Sequence, residues 1–345
     1  MNRKSKRKRI LWYVAGAALC MALGIGILIY GDYSAGTAVV RDGYLHVPTG
    51  ARYEQQLDSL REGKFLRNEG RFDRYARYRK LNEKVRPGRY KLQKGMSYKR
   101  LIGTLAGGLQ SPVNLTFNHI RTKEKLAGTV SRYIEVDSLT LLRALENDSV
   151  AASYGFTHAS FIGMFVPNTY QFYWNTNATG FLNRMKKEYD KFWNDAREAK
   201  RKAAGLSRNE AITLASIVDE ETRMGDEMPR IAGVYLNRLR TGMLLQADPT
   251  VKFAMGDFGL RRILFRHLET DSPYNTYKYP GLPPGPICAP SVRAIDAVLN
   301  AERHDYYYFC AKEDFSGYHN FARNLAEHNR NARRYSEALN RRGIR

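Results

Sequence analysis

The chain has 345 residues, 43% of them hydrophobic, which is room for about two domains of roughly 150 residues and a substantial buried core, and excludes wholesale disorder. Lysine and arginine number 56 against 34 acidic residues, a formal charge of +22, so the favoured partners are anionic: nucleic acid, an acidic membrane surface or an acidic polymer. The three cysteines (Cys20, Cys288 and Cys310) exclude a disulfide-dense scaffold and a four-cysteine zinc site, and leave open whether Cys288 and Cys310 pair.

Residues 10–31 form a run of 22 without a charged side chain, the length needed to cross a hydrocarbon core of about 30 Å. It is longer than the apolar part of a cleaved signal peptide, which is about 7–15 residues. Six of the nine residues before it are basic, which keeps the N-terminus in the cytoplasm. Trp12 and Tyr13 mark one membrane interface, Tyr30 and Tyr33 the other. Residues 1–9 therefore read as a cytoplasmic basic tail and 10–31 as a single transmembrane helix, with everything after about Asp32 outside the cytoplasm. This topology demotes nucleic acid as a partner. The exported part still carries +16 (22 less 6), suited to an anionic membrane surface or a wall polymer bearing carboxylates.

Between residues 45 and 110 the sequence repeats itself. Gly50, Tyr53, Leu57, Leu60 and Gly63 recur 45 positions later as Gly95, Tyr98, Ile102, Leu105 and Gly108. Each copy reads as a short strand, a glycine turn and an amphipathic helix closed by glycine. A third start of this kind follows, with Thr122 as helix N-cap. Such units occur in wall-binding LysM domains and in plain folding modules alike. Residues 137–202 are helical and mixed, interrupted at 165–180 by a loop or short strand. Residues 207–223 form a helix opened by Ser207 and Glu210, a capping-box pair. A second helix spans 228–241, and residues 246–291 read as long, polar and turn-rich. The C-terminal part offers a helix from Ser291, a strand at 306–311 and a basic helix from about Asn324. The fold class expected is α+β: an N-terminal transmembrane helix, a small α+β module and a larger mixed α+β domain.

In the helix from Ser207, Glu221 stands three, four and seven positions after Val218, Ile217 and Leu214, and so shares their apolar face. A carboxyl there is costly unless it is paired or put to use. Partial desolvation would raise its pKa and keep it protonated, the state of a general acid near neutral pH. The competing reading is a carboxylate buried in a structural ion pair with an arginine. Downstream, residues 237–250 gather Asn237, Gln246, Asp248 and Thr250, residues 272–286 add Tyr274 and Asn275 beside a proline-rich loop, and residues 318–329 add His319 and Asn324. Amides, hydroxyls and aromatic faces are the groups that bind sugars, and these eight are the candidate substrate contacts. The seven histidines lack zincin spacing and no nucleophile-elbow motif is present, so no metal and no cofactor is expected.

The segments ASIVDEET (215–222), NRLRTGMLLQADPTV, SPYNTY, GLPPGPI and NLAEHN, in this order, resemble the YceG-like family of endolytic murein transglycosylases. The resemblance runs from about residue 47 to the C-terminus and is densest over 214–329. It implies a cytoplasmic N-terminus, a LysM-like subdomain over 32–115 and a catalytic domain over 116–345 outside the inner membrane. It also implies a lytic cleavage of peptidoglycan, within nascent glycan strands, between N-acetylmuramic acid and N-acetylglucosamine, leaving 1,6-anhydro ends and ending elongation near the peptidoglycan synthases. The acid before threonine in the ASI-x-x-x-ET motif, Glu221 here, would carry the reaction. The chain departs from the family pattern at Asn168, where an aspartate is usual, and at Cys288 to Ser291, where a small residue, Asn, Pro and Gly are usual. The alternative is a non-catalytic peptidoglycan-binding scaffold in which Glu221 is structural.

Overall fold

The computed structural model describes residues 3–260 and 262–343; of the basic tail expected at 1–9, Met1 and Asn2 lie outside the described residues. Among the described residues, helices are interspersed with short strands, and the strands form three separate two-stranded sheets, an α+β arrangement. The chain divides into two compact units, residues 1–114 with 171–176, and residues 115–170 with 177–345.

The first unit opens with α1 (Arg3–Ala35). Residues 6–35 of it are long and apolar enough to cross a membrane, and the apolar stretch is not buried by the rest of the chain. The repeat then unfolds as expected from the sequence: β1 (Gly43–Val47) leads to α2 (Tyr53–Glu62), and β2 (Gly88–Leu92) leads to α4 (Tyr98–Gly107), with α3 (Glu69–Tyr78) between the copies. The two strands pair antiparallel, Gly43 opposite Leu92 and Val47 opposite Gly88. Gly50 and Gly95 hold the same place in each strand-to-helix turn, at φ +79° and +87° with open space where a Cβ would stand. The glycine is therefore needed for its backbone angle alone. Leu45, Leu60, Phe72, Tyr90, Leu92, Leu101 and Leu105 close the core of this unit, and Trp174, in the segment that returns to it, sits edge-on to His46 at 4.8 Å.

The second unit begins within β3 (Val113–Phe117), whose partner is β4 (Asn168–Phe172), so the segment expected as loop or short strand at 165–180 holds a strand. Between them lie α5 (Lys123–Val130), capped by the Thr122 hydroxyl as anticipated, α6 (Ser138–Glu146) and α7 (Asp148–Ser153). After β4 come α8 (Ala178–Phe192), α9 (Asp195–Ala203), α10 (Arg208–Glu221) and α11 (Met228–Arg240). The stretch read as turn-rich at 246–291 in fact contains α12 (Asp248–Met255) and the short α13 (Phe265–Leu268). Pro249 misleads there: in the first turn of a helix its missing N–H costs nothing. The chain ends with α14 (Val292–Leu299), the hairpin of β5 (Tyr308–Ala311) and β6 (His319–Ala322), and α15 (Leu325–Arg341). The strand β6 was not foreseen; its four residues are too few for alternation to show.

Helix α10 is the centre of this unit. The Ser207 hydroxyl accepts from the Glu210 amide at 3.2 Å and the Glu210 carboxylate accepts from the Ser207 amide at 2.7 Å, the full capping box. Every residue from Ala211 to Val218 is buried, Thr213 and Ser216 included, so this stretch of the helix is enclosed all round rather than on one stripe. The chain that follows the proline-rich loop packs against it: the Ile287 amide donates to Ser216 Oγ at 3.0 Å, and the Ala289 amide to the Ile120 carbonyl at 2.7 Å. A Cβ at Gly285 would meet the Ala159 carbonyl oxygen at 2.1 Å, which is why glycine stands there. Replacing Ser207 by alanine should lower stability by about 1 kcal/mol in urea denaturation, and adding Glu210→Ala should cost less than the sum of the two single changes, because one reciprocal motif is being dismantled.

Candidate active site

Helix α10 stops at Glu221 because Thr222 turns to extended backbone, φ −141° and ψ 146°. The last turn of a helix carries the negative end of its dipole, a poor place for a carboxylate. The chain nevertheless puts three acids there in succession, and the structure gives each a different setting. Asp219 accepts from the amide and hydroxyl of Ser291 at 2.9 and 2.7 Å, at the start of α14. Glu220 takes a two-pronged bond from Arg121 at 3.0 and 2.7 Å, with His119 3.6 Å away. Glu221 has no such clasp: its Oε2 is shielded from solvent and has no hydrogen-bond partner among the described residues. The arginine ion pair that competed for Glu221 in the sequence thus belongs to its neighbour.

Burial pushes the Glu221 carboxyl up to about 7, and the charge of Asp248 adds to the rise; His319, the Tyr235 phenol and Lys252 pull the other way. These groups come from three elements, α11, α12 and β6. Asp248 opens α12 and accepts from the Tyr277 hydroxyl at 2.6 Å. Burial and that aspartate hold the Tyr277 phenol above its ordinary range. Tyr235, from α11, is raised well above the usual phenol value by burial and then by the Glu221 charge. His319, at the start of β6, is held by buried Glu227: its Nδ1 lies 2.7 Å from Glu227 Oε2, and its backbone amide donates to Oε1 at 2.9 Å. Phe309 stands edge-on to the imidazole at 5.3 Å and to Tyr235 at 5.8 Å, an aromatic floor joining the two. An open cleft of about 510 Å³ is lined by Asp248 and Tyr277 together with Arg262, Ile263, Leu264, Phe265, Arg266 and Leu268. Cationic and apolar walls with a carboxylate and a phenol suit an amphipathic, anionic ligand.

Of the eight candidate contacts, the structure brings Asp248 and His319 to Glu221. Gln246 is exposed in a left-handed turn, φ +48°, its amide bonded to the Thr276 carbonyl. Tyr274 is half-buried against Phe253, ring centroids 4.6 Å apart. The other four are occupied by the fold. Asn237 donates to the carbonyls of His304 and Tyr306 at 2.8 and 2.9 Å and accepts from Arg240, and it borders a different cleft of about 1170 Å³. Thr250 is buried, bonded to Ala247 and Thr276 at 2.7 and 2.9 Å. Asn275, also buried, bridges the carbonyls of Leu268 and Thr270 at 2.8 Å each. Asn324 caps α15 through the Glu327 amide. Sequence reasoning missed Tyr235, Tyr277, Lys252 and Glu227. Tyr277 lies within the aromatic segment already singled out; nothing local marks the other three. Cys288 is buried and both it and Cys310 are free thiols.

The YceG-like family model matches residues 45–334. The chain is 27% identical over 312 residues to an endolytic murein transglycosylase of Bacillus subtilis strain 168, covering 86% of this chain and 85% of that protein. It is 28% identical over 320 residues to an endolytic murein transglycosylase of Streptococcus pneumoniae serotype 2 strain D39, covering 83% of this chain and 57% of that protein, so it spans little more than half of the streptococcal relative. A 2.6 Å crystal structure of a YceG-like protein from Listeria monocytogenes matches with a TM-score of 0.57 at 26% identity, over 84% of this chain and 98% of that one.

The raised carboxyl has a consequence for stability. A group whose pKa is higher folded than unfolded stabilises the fold below its unfolded value and loses that contribution as pH rises through the folded one. Between about pH 4.5 and 7, ionisation of Glu221 therefore works against the fold. Glu221→Gln should match wild type at pH 4.5 and exceed it at pH 8 by about 2 kcal/mol in chemical denaturation, allowing for the partial exposure of the residue. Equal stability of the two proteins at pH 8 would show that the carboxyl is solvated.

Proposed function

The chain belongs to the YceG-like family, and from that membership and the unclasped Glu221 carboxyl we propose that it is a membrane-anchored endolytic murein transglycosylase acting within nascent glycan strands. The observation that carries the reading is a single shielded carboxyl, its pKa pushed up to about 7 by burial and by the charge of Asp248, a residue that lines an open cleft.

The chemistry asked of it has two halves. Protonated Glu221 gives its proton to the oxygen that joins C1 of N-acetylmuramic acid to O4 of N-acetylglucosamine; the C1–O4 bond breaks and the glucosamine leaves with a hydroxyl. The carboxylate then takes the proton of the muramic C6 hydroxyl, whose oxygen bonds to C1. A 1,6-anhydro end forms, no water is consumed, and Glu221 is protonated again. An ordinary glycosidase needs a second carboxyl about 5–9.5 Å away to activate water or attack C1. One acid suffices here because the nucleophile belongs to the substrate and acts at high effective concentration. Asp248, engaged by Tyr277, acts on Glu221 through its charge and with Tyr277 offers hydrogen-bonding groups to sugar hydroxyls.

In this reading α1 is the single-pass anchor in the inner membrane, its basic end inside, and the LysM-like and catalytic domains (32–115 and 116–345) work outside the cytoplasm, where cleavage ends glycan elongation near the synthases. Purified sacculi test the activity. Wild type should release fragments with 1,6-anhydro ends, and Glu221→Gln should release at least a hundredfold fewer, the order of loss expected for a general acid–base. Release by neither protein would favour the scaffold, and undiminished release by the variant would move the role to another residue. Because the free enzyme must start protonated, activity should fall as pH rises through about 7. Asp248→Asn removes a charge that raises the Glu221 pKa, so that alkaline limb should shift to lower pH in a pH–rate profile.

A further inference from the structure

The end of the apolar helix is gripped by α3. The Tyr75 hydroxyl lies 2.8 Å from Asp32 Oδ2 and 3.4 Å from the Ile29 carbonyl oxygen, Arg71 reaches Asp32 Oδ1 at 2.9 Å, and the rings of Tyr33 and Tyr75 meet at 5.3 Å. Ile29 is two residues, or about 3 Å of helix rise, inside the end of the uncharged run. Helix α3 therefore flanks the level at which hydrocarbon gives way to headgroups, given the reading of α1 as a membrane anchor.

Phe72, Tyr75 and Ala76 turn the inner face of α3 into the core. Arg71, Arg74 and Tyr78, spaced i, i+3 and i+7, fall on the opposite face. Tyr78 is 82% exposed, a large aromatic with no packing duty in the fold. Residues 64–80 hold seven basic side chains against two acidic ones. Both acids are already engaged, Glu69 by Arg61 at 2.5 Å and Asp73 by Arg77 and Tyr53 at 2.9 Å each. Arg67, Arg74 and Arg79 have no carboxylate within 4 Å among the described residues. An exposed tyrosine among uncompensated arginines, placed at the height of the headgroups, is the composition of an interfacial anchor.

We propose that the outer face of α3, with the flanking Arg67 and Arg79, docks on anionic phospholipid headgroups of the outer leaflet and so fixes the first unit against the membrane. The occupant is the lipid rather than a soluble polyanion, because the surface is defined by its height on the apolar helix. The test uses the full chain in nanodiscs of phosphatidylcholine alone or with one third phosphatidylglycerol, followed by hydrogen–deuterium exchange. Anionic lipid should slow exchange of residues 69–80 by roughly three- to tenfold at about 0.05 M salt and leave them unprotected at about 0.5 M, where the screening length drops below the reach of the side chains. Arg67→Gln, Arg74→Gln and Arg79→Gln combined should abolish the difference while α4 exchanges as in wild type, which shows the unit still folded. Equal exchange in the two lipids, or slowing that survives the triple substitution, would overturn the proposal. A chain that does not enter nanodiscs at all would overturn the anchor reading and this one with it, whereas sacculus cleavage by Glu221 is measured independently of both.

Discussion

Everything in the second unit is arranged around the burial of one carboxyl at the wrong end of a helix. An acid at a helix C-terminus meets the negative end of the dipole, and an acid without a partner in the interior loses the hydration that makes its charge tolerable. Glu221 has both disadvantages, and the fold keeps it there by anchoring the preceding helix, whose residues 211–218 are all buried. The capping box fixes the start of α10, the Ser216 hydroxyl takes the Ile287 amide at its middle, and Asp219 ties its last turn to the start of α14. The position of the carboxyl is thus set by interactions made along the whole helix, with the Tyr235 phenol as its one hydrogen-bonding neighbour among the groups that shift its pKa.

The surrounding charges are disposed so that none neutralises it. Glu220 absorbs Arg121, and Glu227 absorbs His319. Arg238, the buried guanidinium of α11, donates to the carbonyls of Tyr307, Leu244 and Leu245 instead of to a carboxylate, and burial lowers its pKa. The result is a carboxyl that answers to distant charges of both signs, with Asp248 on one side of the balance and His319 and Lys252 on the other. Such a group is easily tuned by a single substitution, which is the property an acid–base catalyst needs and a structural ion pair lacks.

The first unit follows a different logic. Its two strand–turn–helix copies are locally determined, each with its own glycine turn and apolar face, and β1 and β2 meet as a minimal antiparallel pair. What distinguishes the copies is α3, inserted between them, which adds the polar contacts of Tyr75 and Arg71 with Asp32 to the packing of α4 against α1. The duplicated pattern and the inserted α3 both contribute to the core, α3 through Phe72, Tyr75 and Ala76.

How much of this was legible in the sequence depends on the range of the interaction. Features decided within one turn or one helix could be read directly: the uncharged run, the repeat with its glycines, the N-caps at Thr122 and Ser207, and the apolar face under Glu221. Composition could mark Asp248 and His319 as polar groups worth noting, but it marked Asn237, Thr250, Asn275 and Asn324 equally, and these prove to serve backbone carbonyls, buried hydroxyls and a helix cap. Nothing along the chain separates a side chain that faces a cleft from one that faces a carbonyl, since both are polar and both sit in turn-rich segments. Which of three adjacent acids would be left without a partner was settled only when Arg121, about a hundred residues earlier, came to rest beside Glu220, and when Tyr235, Asp248 and His319 arrived from separate elements. Periodicity, capping and hydrophobic length act between neighbours and are written in the sequence; the dielectric and the charges felt by one carboxyl are sums over the folded surroundings, and exist only once those surroundings have formed.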